Sequence, residues 1–283
     1  MKKDAIINEL LKAIVEELER KGYIAEPNSI VKNGVELKGV IIGNGNIRPN
    51  IYVEDFIEEY DTLDEVVNAI IEMYEEKKDE TFDVSHVSEW DFVKTRLQLC
   101  LQKKGNENIV KRDFLDLEQY VRVIVDSNED GNSSFKVNPN FLNTWNITED
   151  ILFNAAWDCT KPTFTQRNMT QIMSEMMNMS IEEIKEMTGD TQDQIILSNQ
   201  TSLNGAITMC DTWFLSEIAN KYESDLVILP SSIHEVIVIP TTDKELFAYD
   251  RMVHEVNEEH VLPEEVLSNH AYRFSRDTME ITF

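Results

Sequence analysis

The chain alternates between two hydrophobic periodicities along its whole length, and this alternation restricts its fold more than any other feature. Residues 6–18 place apolar side chains at a period of 3.6, which predicts an amphipathic helix that ends at Gly22. Residues 29–53 instead form short β-branched runs that are separated by turn sequences, Asn33-Gly34 and the segment 43–46. We therefore predict an α+β fold in which amphipathic helices pack on the faces of antiparallel or mixed sheet segments.

The rest of the chain continues this pattern. The pairs Thr62 with Glu65 and Ser180 with Glu183 have the spacing of capping boxes, so each pair predicts the start of a helix. Further helices are predicted over residues 88–104, 147–159, 168–187 (as two short helices), 203–222 and 243–258. Strands are predicted over residues 120–125, 134–137, 194–198, 225–229, 235–239, 272–275 and 278–283.

The organisation predicted from these elements is a single compact unit, residues 1–283. No repeat and no Pro/Gly/Ser-rich linker divides the chain, although a weak sub-boundary is predicted near residues 161–167, between 1–160 and 168–283. The apolar positions of the predicted helices and strands give a predicted core: Leu10, Ile14, Val67, Ile70, Leu97, Leu152, Phe214, Leu226, Ile228 and Val238.

Charge restricts the classes of partner. With 26 Lys and Arg against 53 Asp and Glu, the formal net charge is −27 at pH 7. A chain this acidic repels phosphate backbones and anionic lipids, so we expect no direct nucleic-acid contact, no membrane binding and a basic or neutral partner. The oligomeric state is not predicted.

The N-terminus and the cysteines predict a cytoplasmic protein. The first residues run into an amphipathic stretch that contains several Glu side chains, whereas a signal peptide needs an uncharged apolar segment. Cys100, Cys159 and Cys210 are odd in number, about 50 residues apart and without a CxxC pair, which predicts reduced thiols and neither disulfides nor a zinc site. No cofactor or metal motif is present in the sequence, so none is predicted.

One turn carries the residue types of nucleophilic catalysis. Ser232, His234 and Glu235 lie between two predicted strands, and residues two apart on an extended segment share a face. They are the weak catalytic candidates. The alternative interpretation is structural, with His234 fixing the turn through hydrogen bonds to the backbone or to neighbouring serines.

Two further segments are candidate binding surfaces. The acidic run that begins at residue 54 contains no Lys or Arg, and it predicts either a solvated rim or a docking face for a basic partner. Its candidate binding residues are Glu54, Asp55, Glu58, Glu59 and Asp61. Residues 169–187 contain six of the 11 methionines, which is typical of an adaptable core, a mobile lid or a partner groove.

Several motifs also resemble those of an uncharacterised family. The matching segments are 32–37 (KNGVEL), 46–52, 114–117 (FLDL), 145–148, 196–199 (ILSN), 204–206 (NGA) and 229–236 (LPSSIHEV). They resemble a domain of unknown function in cytoplasmic proteins of gut Clostridia of the Lachnospiraceae type. The resemblance implies a fold and a source lineage but no activity, cofactor or catalytic residue.

Three functions are consistent with these features. The first is an acidic protein that acts by binding another macromolecule, with a mobile element or phage conflict as one interpretation of its setting. The second is a hydrolase that uses the turn of Ser232, His234 and Glu235. The third is an acidic mimic of nucleic acid that inhibits a DNA- or RNA-binding protein.

Overall fold

The structure is a computed structural model of the chain, and it describes residues 2–44, 48–57, 59–78, 86–128, 131–189, 193–242 and 246–283. The chain divides into two compact units, Met1–Asp83 and Val84–Phe283. Within the described residues, no helix has both the length and the apolar character that a bilayer crossing requires.

The first unit packs helices against a small antiparallel sheet. Its elements are α1 (Lys2–Arg20), β1 (Ala25–Lys32), β2 (Val35–Ile42), β3 (Asn50–Tyr52), α2 (Glu54–Ile57) and α3 (Leu63–Lys77). The predicted turn joins β1 to β2, because Asn33 and Gly34 both adopt the positive φ angles of a type I′ turn. The predicted capping box starts α3, where Thr62 and Glu65 bond each other's backbone. Residues 45 and 46 of the predicted second turn lie outside the described residues.

The second unit contains two antiparallel sheets with helices packed against them. Its helices are α4 (Trp90–Val93), α5 (Pro139–Trp145), α6 (Glu149–Thr160), α7 (Met169–Met177), α8 (Ile181–Thr188), α9 (Thr212–Tyr222) and α10 (Phe247–His260). Its strands are β4 (Leu97–Lys103), β5 (Lys111–Phe114), β6 (Leu117–Asn128), β7 (Gly131–Lys136), β8 (Phe164–Asn168), β9 (Ile195–Asn199), β10 (Asp225–Leu229), β11 (Val236–Thr241), β12 (Tyr272–Phe274) and β13 (Ile281–Thr282).

The larger sheet has six strands in the order β13-β12-β10-β11-β9-β8, so β8 lies at one edge. The other sheet pairs β6 with β4, β5 and β7. Every described pairing is antiparallel. One buried cluster includes residues of both sheets, such as Leu99 and Ile228, and α6 contributes Leu152 to it. The predicted α+β fold is confirmed.

The helix predicted over residues 88–104 is wrong. A single turn, α4, is followed by the strand β4, which pairs with β6. The apolar residues Trp90, Val93, Leu97 and Leu101 match helical spacing, but Leu97, Leu99 and Leu101 also alternate at the period of a strand. Long-range pairing with β6 decides between the two patterns.

The helix predicted over residues 203–222 is divided. A 3-10 helix, Gly205–Cys210, precedes α9, and Asp211 lies between them with an extended backbone. The Asp211 carboxylate accepts hydrogen bonds from the backbone N–H groups of Trp213 and Phe214, at 3.1 and 3.2 Å. An aspartate N-cap therefore starts α9 anew.

The predicted sub-boundary near residues 161–167 differs from the division between the units, which falls at Asp83 and Val84. Residues Lys161–Thr163 form a 3-10 helix directly after α6, and β8 pairs along its length with β9. This segment lies within the second unit because its backbone hydrogen bonds are made there. That residues 1–283 form one compact unit stays a prediction.

The predicted core is largely buried. Leu10 and Phe214 are half-buried beside the core clusters, and the other eight predicted residues are buried. Both residues lie on amphipathic helices, whose apolar positions at the edge of the buried face stay partly exposed.

Candidate functional site

The turn between β10 and β11 carries the three catalytic candidates. The backbone N–H of His234 donates to Ser232 Oγ at 3.0 Å, and the backbone N–H of Ser232 donates to the Glu235 carbonyl at 3.3 Å. The Ser232 hydroxyl therefore accepts a hydrogen bond from the backbone of the turn. This is the arrangement of a serine turn, in which the side chain stabilises local backbone geometry.

The imidazole of His234 has two partners from distant parts of the chain. Its Nδ1 lies 3.1 Å from the backbone nitrogen of Asn204, and its Nε2 lies 3.2 Å from Oε1 of Glu265. Because a backbone N–H can only donate, Nδ1 accepts, and Nε2 carries the proton that is donated to Glu265. A general base for Ser232 would need a free ring nitrogen facing the hydroxyl, and both ring nitrogens of His234 are already paired.

Three segments meet at this turn. The Ser198 hydroxyl of β9 donates to the His234 carbonyl at 2.8 Å. A Cβ atom on Gly205 would lie 2.3 Å from Ser198 Oγ, 2.6 Å from the His234 carbonyl oxygen and 2.7 Å from the Asn199 nitrogen. We call residues 198–199, 204–205 and 232–234 the three-segment junction. Its contacts are those of a packed structural element that joins β9, the 3-10 helix and the β10–β11 turn.

A second polar cluster was not predicted from the sequence. Asp116, in the turn between β5 and β6, lies 2.9 Å from His270 Nε2 and accepts a hydrogen bond of 2.9 Å from the Tyr272 hydroxyl. The Phe283 ring stacks on His270 with centroids 4.9 Å apart. Burial raises the pKa of Tyr272, so its hydroxyl remains a donor at neutral pH. The cluster joins His270 to Asp116, which lies 154 residues earlier, and the only local signal was the 114–117 motif that contains Asp116.

The acidic candidates of the first unit do not share one environment. Glu54 is half-buried, and its Oε1 accepts the backbone N–H of Lys38 at 2.8 Å, which gives it a structural role at β2. Glu59 and Asp61 are exposed. The side chain of Asp55 and the whole of Glu58 lie outside the described residues. That Glu59 and Asp61 bind a partner stays a prediction.

The methionine-rich segment forms a pair of short helices, α7 and α8, which we call the methionine hairpin (residues 169–188). Of its six predicted methionines, Met169, Met173 and Met179 are half-buried and the other three are exposed. Ile184 is the buried side chain of the two helices. The hairpin therefore packs on the protein through little of its surface.

Hydrogen bonds fix the shape of the methionine hairpin at three points. The Asn168 side chain caps α7 by accepting the N–H of Thr170 at 2.8 Å. The Ser174 hydroxyl donates to the Met179 carbonyl at 2.6 Å across the connection. The predicted capping box starts α8, with Glu183 accepting the N–H of Ser180 at 2.8 Å. These bonds order the hairpin although few of its side chains are buried.

The methionine hairpin carries one group of exposed apolar side chains. Four of the 15 described large apolar residues that are exposed lie within residues 176–187. They are Met176, Met177, Ile181 and Met187, with exposed fractions of 81%, 47%, 38% and 54%. The hairpin also carries four carboxylates, Glu175, Glu182, Glu183 and Glu186, against the single Lys185. A hydrogen bond from the backbone of Ser180 lowers the pKa of Glu183, so this carboxylate is ionised at neutral pH.

The three cysteines are free thiols, as predicted. Cys100 is buried, and burial raises its pKa to about 12. Cys159 is half-buried, and its thiol donates to the Lys94 carbonyl at 3.2 Å. Within the described residues, no three His, Cys, Asp or Glu side chains lie close enough together to hold a metal ion.

Comparison with known proteins gives a family and no assigned activity. Residues 4–276 match the profile of a family of unknown function, DUF5688. No curated protein and no solved structure gives a significant match. Because the match covers nearly the whole chain, the protein belongs to the DUF5688 family of unknown function.

Proposed function

We propose that the protein acts by binding a protein partner through the methionine hairpin. The observation that carries this proposal is the exposure of Met176, Met177, Ile181 and Met187 on an element whose own helices are capped and ordered. Grouped exposed apolar side chains on an ordered element are typical of interaction surfaces.

The methionine side chains indicate the shape of the partner. Methionine is unbranched and polarisable, so a surface built from it can adjust to a partner's apolar side chains without one fixed geometry. An amphipathic helix offers such side chains at regular spacing along one face. The occupant proposed for the hairpin is therefore an amphipathic helix of a partner protein.

The charge of the hairpin indicates that this helix is basic. Four carboxylates border the apolar side chains, and Lys185 is the hairpin's single cation. With a net charge of −27, the whole protein attracts a basic partner. Binding should therefore weaken as salt screens the attraction.

The other functional predictions concern the location of the protein, its biological setting and the alternative activities. A cytoplasmic location, a setting on a mobile element or in phage conflict, and mimicry of nucleic acid stay predictions, as does the absence of direct contact with nucleic acid or membrane. The hydrolase alternative is disfavoured, because the His234 imidazole pairs with Asn204 and Glu265 and not with Ser232.

Site-specific photo-crosslinking in living cells tests the proposal. A photoreactive amino acid replaces Met176 in one variant and Phe247 of α10 in a control variant. The two positions are matched, since the side chains are 81% and 73% exposed and both are apolar. Crosslinked products are identified by mass spectrometry.

We expect position 176, and not position 247, to crosslink one protein whose contacting peptide is basic and amphipathic. Equal crosslinking from both positions would indicate nonspecific contact and contradict the proposal. Crosslinking only to acidic or random surface peptides from position 176 would contradict the charge argument.

A further inference from the structure

The edge strand β8 presents backbone hydrogen-bonding groups that its neighbour β9 does not use. Met169 N–H donates to the Gln194 carbonyl at 2.8 Å, and Gln200 N–H donates to the Thr163 carbonyl at 3.0 Å. In an antiparallel pair the bonding residues alternate, so Thr165 and Arg167 direct their backbone groups towards β9. The backbone groups that point towards the open edge are those of Phe164, Gln166 and Asn168.

The N–H of Phe164 is satisfied by the Lys161 carbonyl of the preceding 3-10 helix. The outward groups that remain are the carbonyl of Phe164, both backbone groups of Gln166 and the N–H of Asn168. In the described part of the chain, no strand pairs with this side of β8. These four groups alternate as acceptor and donor, which is the pattern that an added strand would complete.

A cavity of about 260 Å³ lies between α9 and the β8–β9 end of the sheet, and Ile195 of β9 lines it together with residues of β8. Gln166, Arg167 and Asn168 line it from the strand, and Glu217, Lys221 and Tyr222 line it from the helix. Burial, followed by the nearby Asp193 carboxylate, raises the pKa of Tyr222, so its hydroxyl is neutral. A groove between an edge strand and a helix can hold an extended peptide, with the strand bonding its backbone and the helix contacting its side chains.

The two cations of the groove differ in their partners. Arg167 forms an ion pair with Glu175 at 2.5 Å. Lys221 contacts the ring of Tyr222, with its Nζ 5.3 Å from the ring centroid, and among the described residues it forms no ion pair. Lys221 can therefore pair with an incoming carboxylate, in a groove that Glu217 of the preceding helical turn also lines.

We propose that an extended segment of a partner polypeptide, carrying an Asp or Glu side chain, adds as a strand to the open edge of β8 and places its carboxylate at Lys221. Its backbone bonds to Phe164, Gln166 and Asn168. This site goes beyond the methionine hairpin and does not depend on it, because it uses other residues and binds an extended segment.

The alternative occupant of the edge is β8 of a second copy of this chain. Charge disfavours it, because two copies that each carry a net charge of −27 repel each other. A short peptide with one carboxylate meets far less repulsion.

Selection from a displayed library of random nonapeptides tests the proposal on the full-length chain. Enriched peptides are synthesised, and their affinities are measured by fluorescence polarisation. The key variant is Gln166→Pro, which removes an outward N–H while leaving the ladder to β9 intact, as proline on an edge strand can. Gln166→Ala is its matched control, because it removes the same side chain and keeps the N–H.

We expect selected peptides to contain an Asp or Glu, to bind Gln166→Pro about tenfold more weakly than wild type, and to bind Gln166→Ala nearly unchanged. Lys221→Gln should weaken binding and flatten its dependence on salt. A thermal melt of Gln166→Pro close to that of wild type excludes unfolding as the cause.

Three outcomes would overturn the proposal: no peptide enriched on the wild-type protein, equal binding to Gln166→Pro, or peptides without any preference for a carboxylate. Dimerisation that Gln166→Pro abolishes would also overturn it, in favour of a second copy. Crosslinking at Met176 that persists in Gln166→Pro separates a failure here from a failure of the hairpin proposal.

Discussion

Replacing His234 by alanine should destabilise the second unit, because the imidazole bonds two segments about 30 residues away on either side. The substitution removes the acceptor for the backbone N–H of Asn204, a residue that is only 6% exposed. Leaving such a buried donor unpaired costs about 1–3 kcal/mol. Glu265 loses a donor too, but its side chain is 29% exposed and can bond water, which adds less than about 1 kcal/mol.

The expected loss is therefore about 2 kcal/mol in the free energy of unfolding, and a melting temperature lower by about 4–8 °C for a unit of this length. Urea unfolding and a thermal melt measure both quantities. His234→Asn is the matched variant, since its side-chain oxygen can replace Nδ1 as an acceptor, and it should recover part of the loss. Glu265→Ala should cost less than His234→Ala.

The reasoning is refuted if His234→Ala changes the free energy of unfolding by less than about 0.5 kcal/mol, which is the size of an ordinary surface substitution. It is equally refuted if Glu265→Ala costs more than His234→Ala. The same variants test the hydrolase alternative against esterase, peptidase and phosphatase substrates. Turnover that both His234→Ala and Ser232→Ala abolish, at an unchanged melting temperature, would make this turn an active site.

Further predictions concern packing and pH. Gly205→Ala should cost about 1–3 kcal/mol or more in urea unfolding, because its Cβ would lie within 3 Å of three atoms at the three-segment junction; an unchanged midpoint would contradict the packing. Ile228→Ala should lower the free energy of unfolding by about 2–5 kcal/mol, since this strand residue is fully buried. A loss of less than about 0.5 kcal/mol would contradict its core position. Burial raises the pKa of Cys100 from 9.0 to about 12, so the unfolded chain loses this proton first and stability falls as pH rises above 9. Between pH 8 and 10 this thiol should lower the free energy of unfolding by about 1.4 kcal/mol, and Cys100→Ala should remove this pH-dependent loss. The same pH dependence in wild type and Cys100→Ala would contradict the buried thiol as its source.

Local hydrogen bonds explain which elements could be predicted from the sequence. The capping boxes of Thr62 with Glu65 and Ser180 with Glu183 join residues three apart, so the sequence alone contains both partners. The Asn33-Gly34 turn is equally local, because both residues tolerate a positive φ.

Long-range contacts explain what could not be predicted. Leu97 and Leu101 fit a helix and a strand equally well, and only pairing with β6 selects the strand. The interpretation of His234 as structural required its partners Asn204 and Glu265, which are 30 and 31 residues away. His270 and Asp116 are 154 residues apart, and no periodicity joins them.

The solvent exposure of the methionine side chains could not be predicted from the sequence either. A methionine-rich segment fits a core, a lid or a partner surface, because the side chain is suited to all three. The hydrogen bonds that order the methionine hairpin, together with an 81% exposed Met176, favour the partner surface. Only the packing of the second unit shows that most side chains of the methionine hairpin are left uncovered.

The affinity of the partner identified by crosslinking is the most direct test of the central claim. It should be measured by calorimetry for wild type, for the double substitution Met176→Ser with Met187→Ser, and for Phe247→Ser as a matched exposed control. Burying a methionine contributes about 1.5–3 kcal/mol, so the loss of two should weaken binding about 100-fold or more, while Phe247→Ser leaves it unchanged. Unchanged affinity in the double variant, or an equal loss in Phe247→Ser, would contradict binding through the methionine hairpin.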